Sequence, residues 1–214
     1  MMKQSIGAVR RHMTPKFGGA PSRSFFTFAQ PHMQPSFEKT AQSHAFSTAD
    51  YQMLKASPRQ YIVDYQHNLK SAHFDANTRT IRLKTTPPFM SHQEQQTHET
   101  HHAAQYESMV SRMGGKSVHE DTARDIFSLP QHRTAMEASA LLTGKAVLHQ
   151  QEKVGSFVKS EVRTHLKKYP SVPGYGSLPD AEKVLDAPSK GRTDFHEYSR
   201  QRLDSAGVKW PEIT

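Results

Sequence analysis

SHQEQQTHETHHAAQYESMVSRMGG, Ser91 to Gly115, is the segment from which the rest of the chain is best read. Ser91 with Glu94 three residues on is a capping box, and Gly114-Gly115 is a stop, so the spacing predicts one helix over residues 92–113. At 1.5 Å per residue it would be about 33 Å long. Its first half is almost wholly polar (His92, Gln93, Glu94, Gln95, Gln96, His98, Glu99), and apolar residues gather only towards Tyr106, Met109, Val110 and Met113. A helix of that composition is expected to be solvated or to bridge between partners.

On either side the pattern is of short helices joined by Pro/Gly loops, which makes the fold class mostly α. Ser47 with Asp50 opens a short helix that must end near Ser57, before Pro58. Pro58 suits the first turn of another helix with Tyr61, Ile62, Tyr65, Leu69 and Ala72 on one face, although Tyr61, Ile62, Val63 and Tyr65 equally favour a strand. Turn chemistry at Phe74 to Thr78 and alternation in Thr80-Ile81-Arg82-Leu83 predict a small β-hairpin near residues 72–84. Ser117 with Glu120 opens a helix that ends before Pro130. Pro130 opens the next, which carries Ala135, Met136, Ala138, Leu141 and Leu142 and should stop at Gly144. Residues 145–169 read as an amphipathic helix, and shorter ones follow near 180–186 and 195–206. Pro15, Pro21, Pro31, Pro35 and Gly18-Gly19 are too closely spaced for helices. The expected division is a basic extended arm over 1–46, a small helical body over 47–207 and an extended tail over 208–214.

Composition narrows the possibilities further. Only 38 of the 214 residues are Leu, Ile, Val or Phe, the range in which a chain struggles to bury enough apolar surface to offset its ordering entropy. The absence of cysteine excludes disulfides, thiolate zinc sites, iron–sulfur ligation and covalent c-type haem. No run of about 18 apolar residues exists to make a transmembrane helix. The most apolar stretch, Ala135 to Leu148, is interrupted by Glu137, Gly144 and Lys145.

The net charge of +8 is unevenly placed. Lys3, Arg10, Arg11, Lys16 and Arg23 precede the first acidic residue, Glu38, and the remainder is nearly balanced. A basic, acid-free stretch that also holds Ser and Phe has the character of a mitochondrial address, and Arg23-Ser24-Phe25-Phe26 resembles a matrix-processing pattern. The alternative is a basic tail with no targeting role. In a chain short of core residues, the stretch is expected to stay attached as a partner-binding arm through Arg10, Arg11, Lys16 and Arg23, with Trp210 as a second anchor. The balanced body argues against nucleic acid as the partner.

Within the polar helix, His98-Glu99-Thr100-His101-His102 matches the H-E-x-x-H pattern and resembles the motif of zinc metalloproteases. The resemblance covers five residues. Histidines at i and i+4 project from one helix face to share a metal, and the intervening Glu acts on water. His98 and His102 are the candidate metal ligands. Gln105 and Ser108 stand where the metzincin continuation needs Gly and His, Glu120 is a distant third ligand that nothing marks out, and a solvated helix would not enclose a site. Gly114-Gly115-Lys116-Ser117 resembles the end of a phosphate-binding loop, but Val110 occupies the first Gly position and the segment follows a helix. Arg163, Lys167 and Lys168 complement a helix C-terminus, or else contact anionic lipid or an acidic subunit.

These features lead to the expectation of a non-catalytic accessory subunit of a large mitochondrial inner-membrane assembly, a respiratory-chain complex or the ATP synthase, on the matrix side or associated with the inner membrane. It would have no cofactor and no catalytic residue, and its partners would be other subunits, with peripheral lipid contact. The alternatives are a mitochondrial ribosomal or microtubule-lining protein, and a zinc-dependent hydrolase using His98 to His102.

Overall fold

In the computed structural model, which describes residues 26–87, 90–128, 130–151 and 155–167, alternating apolar residues build a four-stranded sheet. Strands β1 (Phe26–Phe28), β2 (Tyr61–Gln66), β3 (His73–Asp75) and β4 (Thr80–Lys84) lie in the order β1-β2-β4-β3. β1 and β4 flank β2 in parallel, and β3 pairs antiparallel with β4 at the edge. Phe26, Phe28, Tyr61, Val63, Ile81 and Leu83 are buried together, while Thr27, Ile62, Asp64 and Arg82 point the other way and keep some exposure. Between β1 and β2 the chain forms α1 (Gln34–Ala41) and α2 (Ala45–Ala56), which press Phe37, Ala41, Tyr51 and Leu54 onto that inner face. Phe26 stacks on Tyr51 with centroids 5.3 Å apart, and Phe28 meets Phe37 edge-on at 5.5 Å. Each such ring pair adds about 0.5–1.5 kcal/mol to simple burial.

Helix α3 (His92–Arg112) runs between this core and a second, helical one. The second core is made by Tyr106, Met109 and Val110 of α3 together with Ala123 of α4 (Ser117–Ser128), Leu141 and Leu142 of α5 (Pro130–Leu148), and Val158, Val162 and Leu166 of α6 (Ser156–Leu166). Sixteen of the 21 residues of α3 are buried, which overturns the expectation of a solvated helix. Burial is helped by three glutamines that bond to the backbone of neighbouring elements, while Thr97 and Thr100 keep buried hydroxyls without a hydrogen-bond partner. Gln95 Nε2 donates to the Lys84 carbonyl (3.0 Å), Gln96 Nε2 to Phe37 (2.7 Å) and Gln105 Nε2 to Met136 (3.2 Å). Glu94 pairs with Lys145 at 2.8 Å, and Ser91 Oγ caps the helix by accepting from Glu94 N. Buried polar groups with partners of this kind do not carry the desolvation penalty that an apolar core would impose on them.

The mostly helical class, the 92–112 helix and the hairpin before it agree with the sequence reading. Other boundaries move. Residues 26–46 are not an extended arm, because β1, α1 and the start of α2 lie there and supply aromatic residues to the sheet. Pro31 begins a 3-10 turn and Pro35 lies in the first turn of α1, where a missing N–H costs nothing. The cap of α2 is His44, whose Nδ1 accepts from Phe46 N at 3.2 Å, one turn earlier than the Ser47 box. Residues 61–66 form a strand, held in parallel on both sides, and not a helix. Gly144 does not stop α5. A Cβ there would lie 3.3 Å from Glu94 Cγ and 3.4 Å from Glu94 O, so a small residue at 144 lets α5 lie close against α3. The helix ends instead at Leu148, followed by Gln150 at φ +51°, and α6 begins only at Ser156. Arg10, Arg11, Lys16, Arg23, Lys168 and Trp210, and the segments near 180–186 and 195–206, lie outside the described residues. Among the described residues no helix is long and apolar enough to cross a membrane.

Candidate metal centre

His98 and His102, one turn apart on α3, bring their Nε2 atoms to 3.1 Å. Glu137, from α5, completes a triangle: Oε2 lies 3.1 Å from His98 Nε2 and Oε1 3.5 Å from His102 Nε2. A tetrahedral zinc with bonds of 2.0–2.1 Å holds its ligand atoms about 3.3 Å apart. Each of the three separations is close to that spacing, with Glu137 turning a different oxygen to each histidine. Glu99 is beside them, and the donor atoms of His98, Glu99 and His102 all lie within 4.8 Å of one another.

The His102 imidazole is oriented from behind. Gln105 gives its amide N–H to Met136 O, which turns its Oε1 towards His102 Nδ1 at 2.9 Å. An amide oxygen can only accept, so Nδ1 carries a hydrogen and Nε2 is the atom turned towards His98 and Glu137. His98 Nδ1 is buried with no hydrogen-bond partner, so its polar contacts are on the Nε2 side.

The electrostatics favour positive charge beside Glu137. Burial lowers the His102 pKa, but Glu137 first, then Glu99 and Gln105, outweigh it and bring the group up to about 9. Burial raises the Glu137 pKa, but His102 and His98 hold its carboxyl well below the ordinary range. Burial lifts Glu99 above its ordinary value despite the two imidazoles, which is the direction a proton-transferring carboxylate requires. The positive charge on His102 balances the Glu137 carboxylate as the site stands. With that proton displaced, His98, His102 and Glu137 make the donor set of two His and one Glu found in catalytic zinc sites with an open fourth position.

Glu99, His102 and Glu137 open onto a cleft of about 500 Å³. One wall is the continuous run Ser71 to Asn77, which contains edge strand β3. The other carries Arg124 and Phe127 of α4 and Arg133 and Met136 of α5.

Of the residues singled out in the sequence, His98 and His102 are brought together. Glu120 is not with them, since it pairs with Arg79 at 2.6 Å. Ser108 lines a separate groove beside Pro58 and Arg112. Gly114 and Gly115, at φ +99° and +72°, close the end of α3, with Gly115 N donating to Val110 O at 2.8 Å, so they serve the helix terminus. Glu137 and Gln105 were missed. Glu137 had a signal, as the one acid inside the most apolar stretch of the chain. Gln105 stands at the glycine position of the metzincin continuation, but its place three residues after His102 puts it within reach of that ring. Comparison with protein-family models, curated proteins and solved structures finds no match.

Proposed function

We infer that the chain is a zinc-dependent hydrolase acting on peptide bonds, a reading carried by the convergence of His98, His102 and Glu137 beside Glu99 at the floor of an open cleft. The two imidazoles and Glu137 would hold the ion, leaving one position towards the cleft. When bound, zinc supplies a Lewis acid for the substrate carbonyl and lowers the pKa of water to about 7. Glu99 takes a proton from the attacking water and returns it to the leaving amine. Gln105 keeps His102 in the ligating tautomer throughout. The substrate class follows from the wall: β3 hydrogen-bonds to β4 on one side only, and the cleft lies along its residues. An extended peptide can add there as a further strand, which places its backbone amides next to the ion.

The test is purified full-length protein assayed for zinc content and for cleavage of an unfolded protein substrate. His98→Ala and His102→Ala should each lose the metal and the activity. Glu99→Gln should keep the metal and lose activity by about 10²–10⁴-fold. Full activity in Glu99→Gln would end this reading.

The mitochondrial, matrix-side location and membership of a larger inner-membrane assembly are separate proposals, supported by the acid-free basic residues 1–37. The expectation that the chain is purely an accessory subunit gains no support from α3, whose polar surface faces inward. A fluorescent protein fused behind residues 1–37 should enter mitochondria, and a cytosolic signal would defeat the address.

A further inference from the structure

Beside the candidate ligands is a second polar cluster that the hydrolytic reading does not use. His101, adjacent to His102, has its Nδ1 2.7 Å from Asp50 Oδ2 of α2 and its Nε2 3.0 Å from Ser139 Oγ of α5. Asp50 and His101 are fully buried and Ser139 is 1% exposed. The order Asp–His–Ser is that of a serine hydrolase. Here, however, the serine lies within a helix and is closed to solvent, so no substrate reaches it.

What the cluster can do follows from helix geometry. Ser139 and Glu137 are two residues apart on α5, about 200° around its axis. Glu137 reaches His98 and His102 on one flank of α3, and Ser139 reaches His101 on the other. Two attachments on opposite sides fix a helix against rotation about its own axis, which one cannot do. A carboxylate about 5–6 Å from the axis moves about 1 Å for each 10° of rotation. That already exceeds the tolerance of about 0.5 Å within which a site must be held.

We propose that Asp50, His101 and Ser139 are positioning residues that lock the rotation of α5 and so hold the Glu137 carboxylate on the metal. The inference rests on the metal centre proposed above. Asp50 anchors the imidazole from α2, His101 transmits that anchor across α3, and Ser139 receives it two residues from the ligand.

The experiment measures zinc affinity by chelator competition, the visible spectrum of the cobalt(II)-substituted full chain, and melting of the metal-free protein. Ser139→Ala removes one hydroxyl from a helix that tolerates alanine, so the metal-free fold should melt within a few degrees of the unsubstituted protein. Its zinc affinity should fall roughly tenfold and the cobalt bands should shift, the size of effect expected of groups that orient metal ligands. Ser139→Thr keeps the hydroxyl and should recover most of the affinity. Asp50→Asn should weaken zinc in the same direction as Ser139→Ala, and if it does not fold, Ser139→Ala decides alone. Unchanged affinity and unchanged cobalt bands in Ser139→Ala would overturn the lock and leave the cluster a packing feature. Failure of the unsubstituted protein to take up zinc or cobalt would sink the metal centre itself, and the lock with it.

Discussion

Gln105 donates to Met136 and accepts from His102, so replacing it with Leu frees the imidazole to turn and to change tautomer. Zinc affinity in Gln105→Leu should fall about 10–100-fold, measured against a competing chelator. A second residue-scale prediction concerns Glu107, which accepts from Arg59 Nε (2.8 Å) and Tyr61 OH (2.7 Å) and also pairs with Arg59 Nη2. Burial raises its pKa, but Arg59, Tyr61 and Ser57 outweigh this and hold it below its ordinary value of 4.5. A carboxyl whose folded pKa is depressed contributes its full stability above the unfolded value and loses it as pH falls through the folded one. Urea midpoints should therefore drop as the pH goes below about 4.5, and this part of the slope should vanish in Glu107→Gln. Arg59→Met strands the buried carboxylate and should cost about 3–5 kcal/mol at neutral pH in the same assay.

At the scale of elements, the contact of α3 with α5 depends on Gly144. Gly144→Ala brings a methyl to 3.3 Å from the Glu94 side chain while gaining helix propensity, and the two effects should leave the melting temperature nearly unchanged. Gly144→Val has no such room and should cost about 1–3 kcal/mol by thermal melting, with zinc affinity lowered as α5 is pushed away. Gly144 also illustrates what was legible in the residues. Caps, stops and alternation act locally, so the 92–112 helix, the hairpin and the helix after Lys116 could be read from them. A glycine inside a helix looks like a terminator until its neighbour is known, and residues 61–66 look as much like a helix as a strand until parallel partners flank them. The histidine pair was legible because both ligands share one helix. Glu137 stands out as an acid in an apolar stretch but not as a ligand, because a third ligand 35 positions further on is chosen by packing and carries no spacing rule.

On the scale of the whole molecule, the candidate ligands tie α3, which touches both cores, to α5. An ion held there acts on the global unfolding equilibrium. Zinc at about a thousandfold excess over its dissociation constant should add about 4 kcal/mol and raise the melting temperature by roughly 10 °C, with no response in His98→Ala. The polar composition of α3 is compatible with a core position: amides satisfy carbonyls of three neighbouring elements, and His98, Glu99 and His102 meet in one place. The donors in that place are nitrogen and oxygen only, in a chain without a single thiol. Peroxide releases metal from cysteine sites by converting the ligand sulfur to sulfenic acid and beyond, and this centre offers it no such target. Doses of oxidant that empty thiolate zinc proteins should leave its metal in place, a useful property wherever electron transport leaks reactive oxygen.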